Sequence, residues 1–180
     1  MIKQIYALIK SIFLICFACA ISNSQAQIIF QEDFDGISGP VSGGAGTYSF
    51  PSGWSLFNLD GLTPASSVAY INDAWERRED FNFNPADSCA ISTSWYTPSG
   101  VSGDWMFTPA IGPLPAGSVL KWSAVIYDPL YPDGYEVRIM TVASNTGNLL
   151  TSTVLFAVVG ENSAWTPRET SLSDNAGMTV

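Results

Sequence analysis

From residue 27 onward the chain is divided into short runs of alternating apolar and polar residues, separated by Gly, Pro, Asn, Asp and Ser. A period of two places successive side chains on opposite faces of an extended strand, so each run can bury one face by packing on another layer. Val119, Lys121, Ser123 and Val125 fall on one side of such a run, with Leu120, Trp122, Ala124 and Ile126 on the other. Residues 27–34, 54–59, 74–79, 90–95, 104–107, 135–143, 150–159 and 165–172 read as further strands. Asp133-Gly134, Pro113 to Gly117 and Asn145 to Asn148 are the turn signals between them. No window beyond residue 26 sustains a 3.6-residue period. Short, evenly spaced strands of this kind predict an all-β sandwich or barrel.

Residues 1–26 read as a secretory signal peptide. Lys3 and Lys10 give a positive start, residues 12–21 an apolar stretch, and Ser24-Gln25-Ala26 a small-x-small cleavage site. The apolar stretch falls short of the ~20 residues that span a bilayer. The mature chain is therefore expected to start at Gln27, to fold outside the cytoplasm and not to insert in a membrane. Residues 27–180 suffice for a single domain, and no internal repeat divides them. Met178-Thr179-Val180 opens another apolar run as the chain stops. An unpaired apolar edge invites aggregation, so the domain is expected to be incomplete, with closing strands and further domains downstream.

Without the signal, five basic residues stand against 16 acidic ones, a net charge of −11. Nucleic-acid phosphates and anionic membranes require a basic face, so neither is an expected partner. Cys16 and Cys19 lie within the signal, which leaves Cys89 with no intramolecular disulfide partner. Its alternating surroundings predict a small core residue. The chain contains no histidine. That excludes a Ser-His-Asp triad, Cys-His nucleophilic catalysis and zinc sites built on His and Cys. Carboxylate chemistry or binding is left. Glu76, Glu79 and Asp80 supply acids, but a glycosidase needs two carboxyls about 5–10 Å apart across a cleft. Arg77 and Arg78 lie between these three and predict surface ion pairing instead.

Several motifs resemble the cleaved-adhesin domain, also called the choice-of-anchor J domain, of Bacteroidetes surface proteins. They are Gln31-Glu32-Asp33-Phe34-Asp35-Gly36, Pro51-Ser52-Gly53-Trp54, residues 103–111, Leu114-Pro115-Ala116-Gly117, residues 131–137 and Trp165-Thr166. Their order and spacing run over nearly the whole mature chain. The resemblance implies a jelly-roll β-sandwich, type IX secretion or attachment to the outer surface, and a role in cell adhesion. It also implies further strands beyond Val180.

Two candidate sites follow. Glu32, Asp33 and Asp35 form the densest carboxylate group, and strand alternation would set Asp33 and Asp35 on one face with Glu32 on the other. Calcium takes six to eight oxygen ligands, and the resemblance implies calcium near the first and last strands. These three, with the weaker Asp60 and Asp73 from a neighbouring loop, are the candidate ligands. For recognition, Trp95 and Tyr96 precede the loop-like Thr97-Pro98-Ser99-Gly100, and Tyr131 lies in Asp128-Pro129-Leu130-Tyr131-Pro132. Aromatic faces with a polar handle suit sugars and protein hot spots. Trp54, Trp105, Trp122 and Trp165 sit in apolar motifs and are expected in the core. The expected function is a non-catalytic, secreted or cell-surface adhesin-type domain that binds a host or extracellular protein or a glycan, with structural calcium. A carbohydrate-binding module of a larger exported hydrolase and an inert spacer are the alternatives.

Overall fold

The computed structural model describes residues 26–35, 50–71, 74–80, 84–141 and 152–180. Residues 1–25 of the expected signal, residues 36–49, Asp73 and the expected turn at Asn145 to Asn148 lie outside these. Among the described residues eight strands are formed: β1 (Ser55–Asn58), β2 (Glu76–Asp80), β3 (Asn84–Ile91), β4 (Asp104–Phe107), β5 (Val119–Ala124), β6 (Tyr135–Ile139), β7 (Thr153–Val158) and β8 (Thr166–Ser171). The described helical structure is limited to short 3-10 turns at Ser66–Val68 and Ser173–Asn175. The protein is all-β. Among the described residues no helix is long and apolar enough to cross a membrane.

The strands pair as four two-stranded antiparallel sheets, β1 with β4, β2 with β3, β5 with β8 and β6 with β7. Each half of the chain thus nests one pair inside another. Alternation explains the registers. Leu120 pairs with Thr170 and Trp122 with Arg168, and all four are half-buried while Val119, Lys121 and Ser123 face outward. Gly134 allows the turn into β6, because a Cβ there would collide with the Val158 carbonyl.

The core cluster joins Leu114, Ile139 and Leu172, with Ile111, Leu120, Leu155 and Val180 packed against it. Aromatic side chains fill the rest of the second half: Phe156 meets Trp122 at 5.1 Å and Tyr135 at 5.8 Å between ring centroids. In the first half, Phe107 meets Phe57 edge-on at 5.5 Å and stacks on Trp105 at 5.9 Å. The Arg138 guanidinium of β6 lies 5.9 Å from the Trp105 ring of β4, so the two halves touch there.

Three expectations are corrected. Residues 27–34 form no strand. The carboxylates of Glu32 and Asp33 accept the backbone N–H groups of Phe34 (2.7 Å) and Asp35 (3.0 Å). Such local bonds compete with a ladder, and Phe34 turns into the left-handed region at φ 62°. The segment is anchored by its rings instead, with Phe34 at 5.5 Å from Phe50 and 5.2 Å from Trp54. Trp165 is 40% exposed rather than core, because it precedes β8 rather than lying on its inner face. Met178 to Val180 are paired rather than open. Val180 and Ile111 exchange backbone bonds of 2.7 and 2.9 Å, and Leu114 N donates to the Met178 carbonyl at 2.8 Å. Cys89, on β3, is half-buried.

Candidate functional site

The Trp95-Tyr96 pair is set by a short backbone pairing with residues 63–65. Ala65 N donates to the Trp95 carbonyl at 2.8 Å, and Thr97 N donates to the Thr63 carbonyl at 3.0 Å. Extended backbone sends neighbouring side chains to opposite sides. Trp95 accordingly points out, 61% exposed, and Tyr96 points in, 5% exposed. The expectation that both rings face outward is corrected for Tyr96. Its phenol serves a half-buried polar cluster.

That cluster centres on Asp104, the first residue of β4. Its Oδ2 accepts from the Tyr96 hydroxyl at 2.6 Å and from the hydroxyls of Ser92 and Ser102 at 3.2 Å each. Its carbonyl accepts from Trp75 Nε1 at 3.2 Å. Its Oδ1 is buried without a partner. Burial pushes the Asp104 carboxyl above the usual carboxylate range, against the pull of its hydroxyl donors. Burial, reinforced by the Asp104 hydrogen bond, also drives the Tyr96 phenol far above its usual range and keeps it protonated. Sequence reasoning gave neither Asp104 nor Tyr96 this role, since Asp104 carries only the polar half of an apolar-polar alternation.

The four calcium candidates within the described residues do not form one ligand set. Asp60 accepts the backbone N–H of Leu62 through Oδ1 at 2.6 Å and that of Gly103 through Oδ2. It is a loop-closing residue beside Asp104. Glu32 and Asp33 hold N–H groups of their own turn, as above. Asp35 Oδ1 accepts from Ser88 N at 3.2 Å. The neighbouring Asp87 carboxyl raises the Asp35 carboxyl above the ordinary carboxylate range. The predicted common face of Asp33 and Asp35 is lost with the strand. Among the described residues no three His, Cys, Asp or Glu side chains gather in metal-binding geometry.

Tyr131 is 76% exposed. It lies in a turn closed by its own N–H on the Asp128 carbonyl at 3.1 Å, with Asp128 Oδ1 accepting from Leu130 N at 2.9 Å. Residues 127–134 are exposed throughout. Ser94 donates to Asp133 Oδ1 at 2.6 Å, which ties the Trp95 loop to the Tyr131 loop. The 159–162 segment joins them, since Glu161 N donates to the Asp133 carbonyl at 2.8 Å and Ile126 N to the Asn162 carbonyl at 2.9 Å. Trp95 and Tyr131 therefore stand on adjoining, cross-linked loops. A sequence shows that each loop is polar and aromatic, but not that a serine and an aspartate 39 positions apart connect them.

The Glu76, Arg77, Arg78 group is also corrected. Glu76 and Arg78 lie two apart on β2, share its inner face and form an ion pair of 2.8 Å with 1% exposure for each side chain. The Arg78 guanidinium lies 5.2 Å from the Tyr70 ring and donates to the Tyr70 carbonyl. This is a buried structural pair rather than surface pairing.

No family model, curated protein or solved structure matches the chain. The class of molecule that the fold and these loops define is an all-β domain of nested antiparallel pairs with exposed aromatic rings on tied loops.

Proposed function

We propose that the chain is an exported, non-catalytic binding domain of the cleaved-adhesin type that recognises an extracellular protein or glycan at the cell surface or after release. The observation that carries this reading is the outward placement of Trp95 and Tyr131 on loops held by the Ser94–Asp133 hydrogen bond. Large aromatic side chains on loops fixed to a scaffold are the usual anchors of recognition surfaces. The finer fold we propose is the jelly roll, with which the nested antiparallel pairs accord. The same rings support a carbohydrate-binding module attached to an exported hydrolase, and binding to glycans but to no protein would select that reading.

The test is a protein and glycan array probed with the parent chain and with Trp95→Ala/Tyr131→Ala. Loss of the bound signal with an unchanged melting curve is expected, because neither ring contributes to the core. Retained binding, or no binding by the parent, would reject the reading.

We also propose that calcium stabilises the Asp33–Asp35 loop. A cation would relieve the repulsion between the facing carboxyls of Asp35 and Asp87. Added calcium is expected to raise the melting temperature and a chelator to lower it, since a ligand selective for the folded state stabilises it. Superimposable melting curves would remove calcium from the account.

A further inference from the structure

The five basic residues beyond the signal are all engaged elsewhere. Arg78 pairs with Glu76, Lys121 with Glu169, Arg138 with Glu136 and Arg168 with Glu161. Arg77 donates to the Phe34 carbonyl. None of them reaches Asp128 or Asp133. Neither 92–101 nor 126–134 contains a Lys or Arg. Apart from the Leu130 and Ser94 bonds already described, these two carboxylates make no hydrogen bond or ion pair among the described residues. Beside them stand three exposed rings, Trp95 (61%), Tyr127 (69%) and Tyr131 (76%).

We propose that this tip binds cationic peptide segments, with Lys or Arg side chains laid on the Trp95, Tyr127 and Tyr131 faces and their charges met by Asp128 and Asp133. The inference rests on the binding-domain reading and names its ligand class. Each part has a physical reason. A ring face attracts a cation, and Trp and Tyr do so best. A planar guanidinium stacks on a ring while its N–H fork reaches a carboxylate. An anionic ligand is repelled by the local carboxylates and by the net charge of −11. A neutral glycan would use the rings but leave the uncompensated carboxylates without a partner.

The experiment titrates the whole mature chain with octa-arginine, octa-glutamate and a neutral β-1,4-glucan hexamer by calorimetry at physiological salt. Octa-arginine is expected to bind and octa-glutamate not to. Trp95→Ala/Tyr131→Ala and Asp128→Asn/Asp133→Asn are each expected to weaken octa-arginine by about tenfold or more. Asn at 133 keeps an acceptor for Ser94, so the loops stay tied. Glu169→Gln/Asp174→Asn removes the same charge elsewhere, at exposed positions, and is expected to change affinity by less than about twofold. An equal loss in that control pair means diffuse attraction and overturns the proposal. So does glucan binding that depends on Trp95 and Tyr131 without peptide binding, though that result leaves the binding-domain reading standing. Absence of binding to every probe overturns the proposal and, with a silent array, the reading beneath it.

Discussion

Arg78→Ala is expected to destabilise the folded domain by about 3–5 kcal/mol, the cost of leaving a buried carboxylate without its cation. The Glu76 and Arg78 side chains are each 1% exposed, so water cannot replace the missing partner. The substitution also removes the guanidinium bond to the Tyr70 carbonyl and the contact with the Tyr70 ring. For a domain of this size each kcal/mol moves the melting temperature by about 2–4 °C, so a fall of roughly 10 °C is expected in a calorimetric scan. Glu76→Met/Arg78→Met separates charge from shape. It removes both ions and is expected to recover most of the loss, because a buried ion pair is often no more stable than an apolar pair of similar volume. An alanine variant that melts within about 2 °C of the parent would show that the pair is wet.

Glu161→Gln is expected to cost about 2–4 kcal/mol, through loss of charge at the centre of a satisfied buried network. Glu161 Oε1 accepts from Arg168 Nη2 at 2.6 Å and from Asn162 N at 2.7 Å. Its Oε2 accepts from the Tyr135 hydroxyl at 3.0 Å and from Arg168 Nε at 3.2 Å, and Trp122 Nε1 donates to that same hydroxyl at 2.9 Å. The network ties β5, β6 and β8 together around Phe156. The Arg168 guanidinium holds the Glu161 carboxyl below the usual range, and the Asn162 N–H and Tyr135 hydroxyl add to its effect against desolvation. A carboxyl with a lowered value in the folded state contributes stability above its unfolded value of about 4.3, and that contribution disappears as pH falls through the folded value. Parent and variant are therefore expected to differ most near neutral pH, and the gap in urea melts is expected to close as pH falls from the unfolded value through the lower folded one. Asp35 and Asp104 shift the opposite way in both proteins and cancel in the difference. A gap that stays constant with pH would contradict the role given to the Glu161 charge.

β1 and the strands from β4 onward were legible from the short apolar-polar runs, and in β5 and β8 burial follows the alternation residue by residue. Residues 104–107 coincide with β4, and the runs at 119–127, 135–143, 150–159 and 165–172 contain β5 to β8. The first run failed because alternation cannot show that Glu32 and Asp33 will hold backbone N–H groups two residues on. Trp95 was legible as an exposed ring. Tyr96 was not, because its direction depends on a pairing with residues 63–65 that local pattern does not specify. The Glu76–Arg78 pair looked like surface because charged residues usually are. What buries it is its place on the inner face of β2. Asp104 and Glu161 were hidden for the same reason. A lone acid in a strand or turn looks solvated until distant donors such as Ser92, Tyr96 or Arg168 are brought to it.

The nesting of one strand pair within another also bears on how the chain reaches this state. When β2 closes on β3, the ends that β1 and β4 must bring together are already drawn close, and β6 with β7 does the same for β5 and β8. Closure entropy rises with the length of free chain between the partners, and non-local pairing slows folding. The inner pairs thus act as clasps that shorten the search for the outer ones. Assembly from the inside outward is the order this topology favours, with the outer strands zipping last in each half.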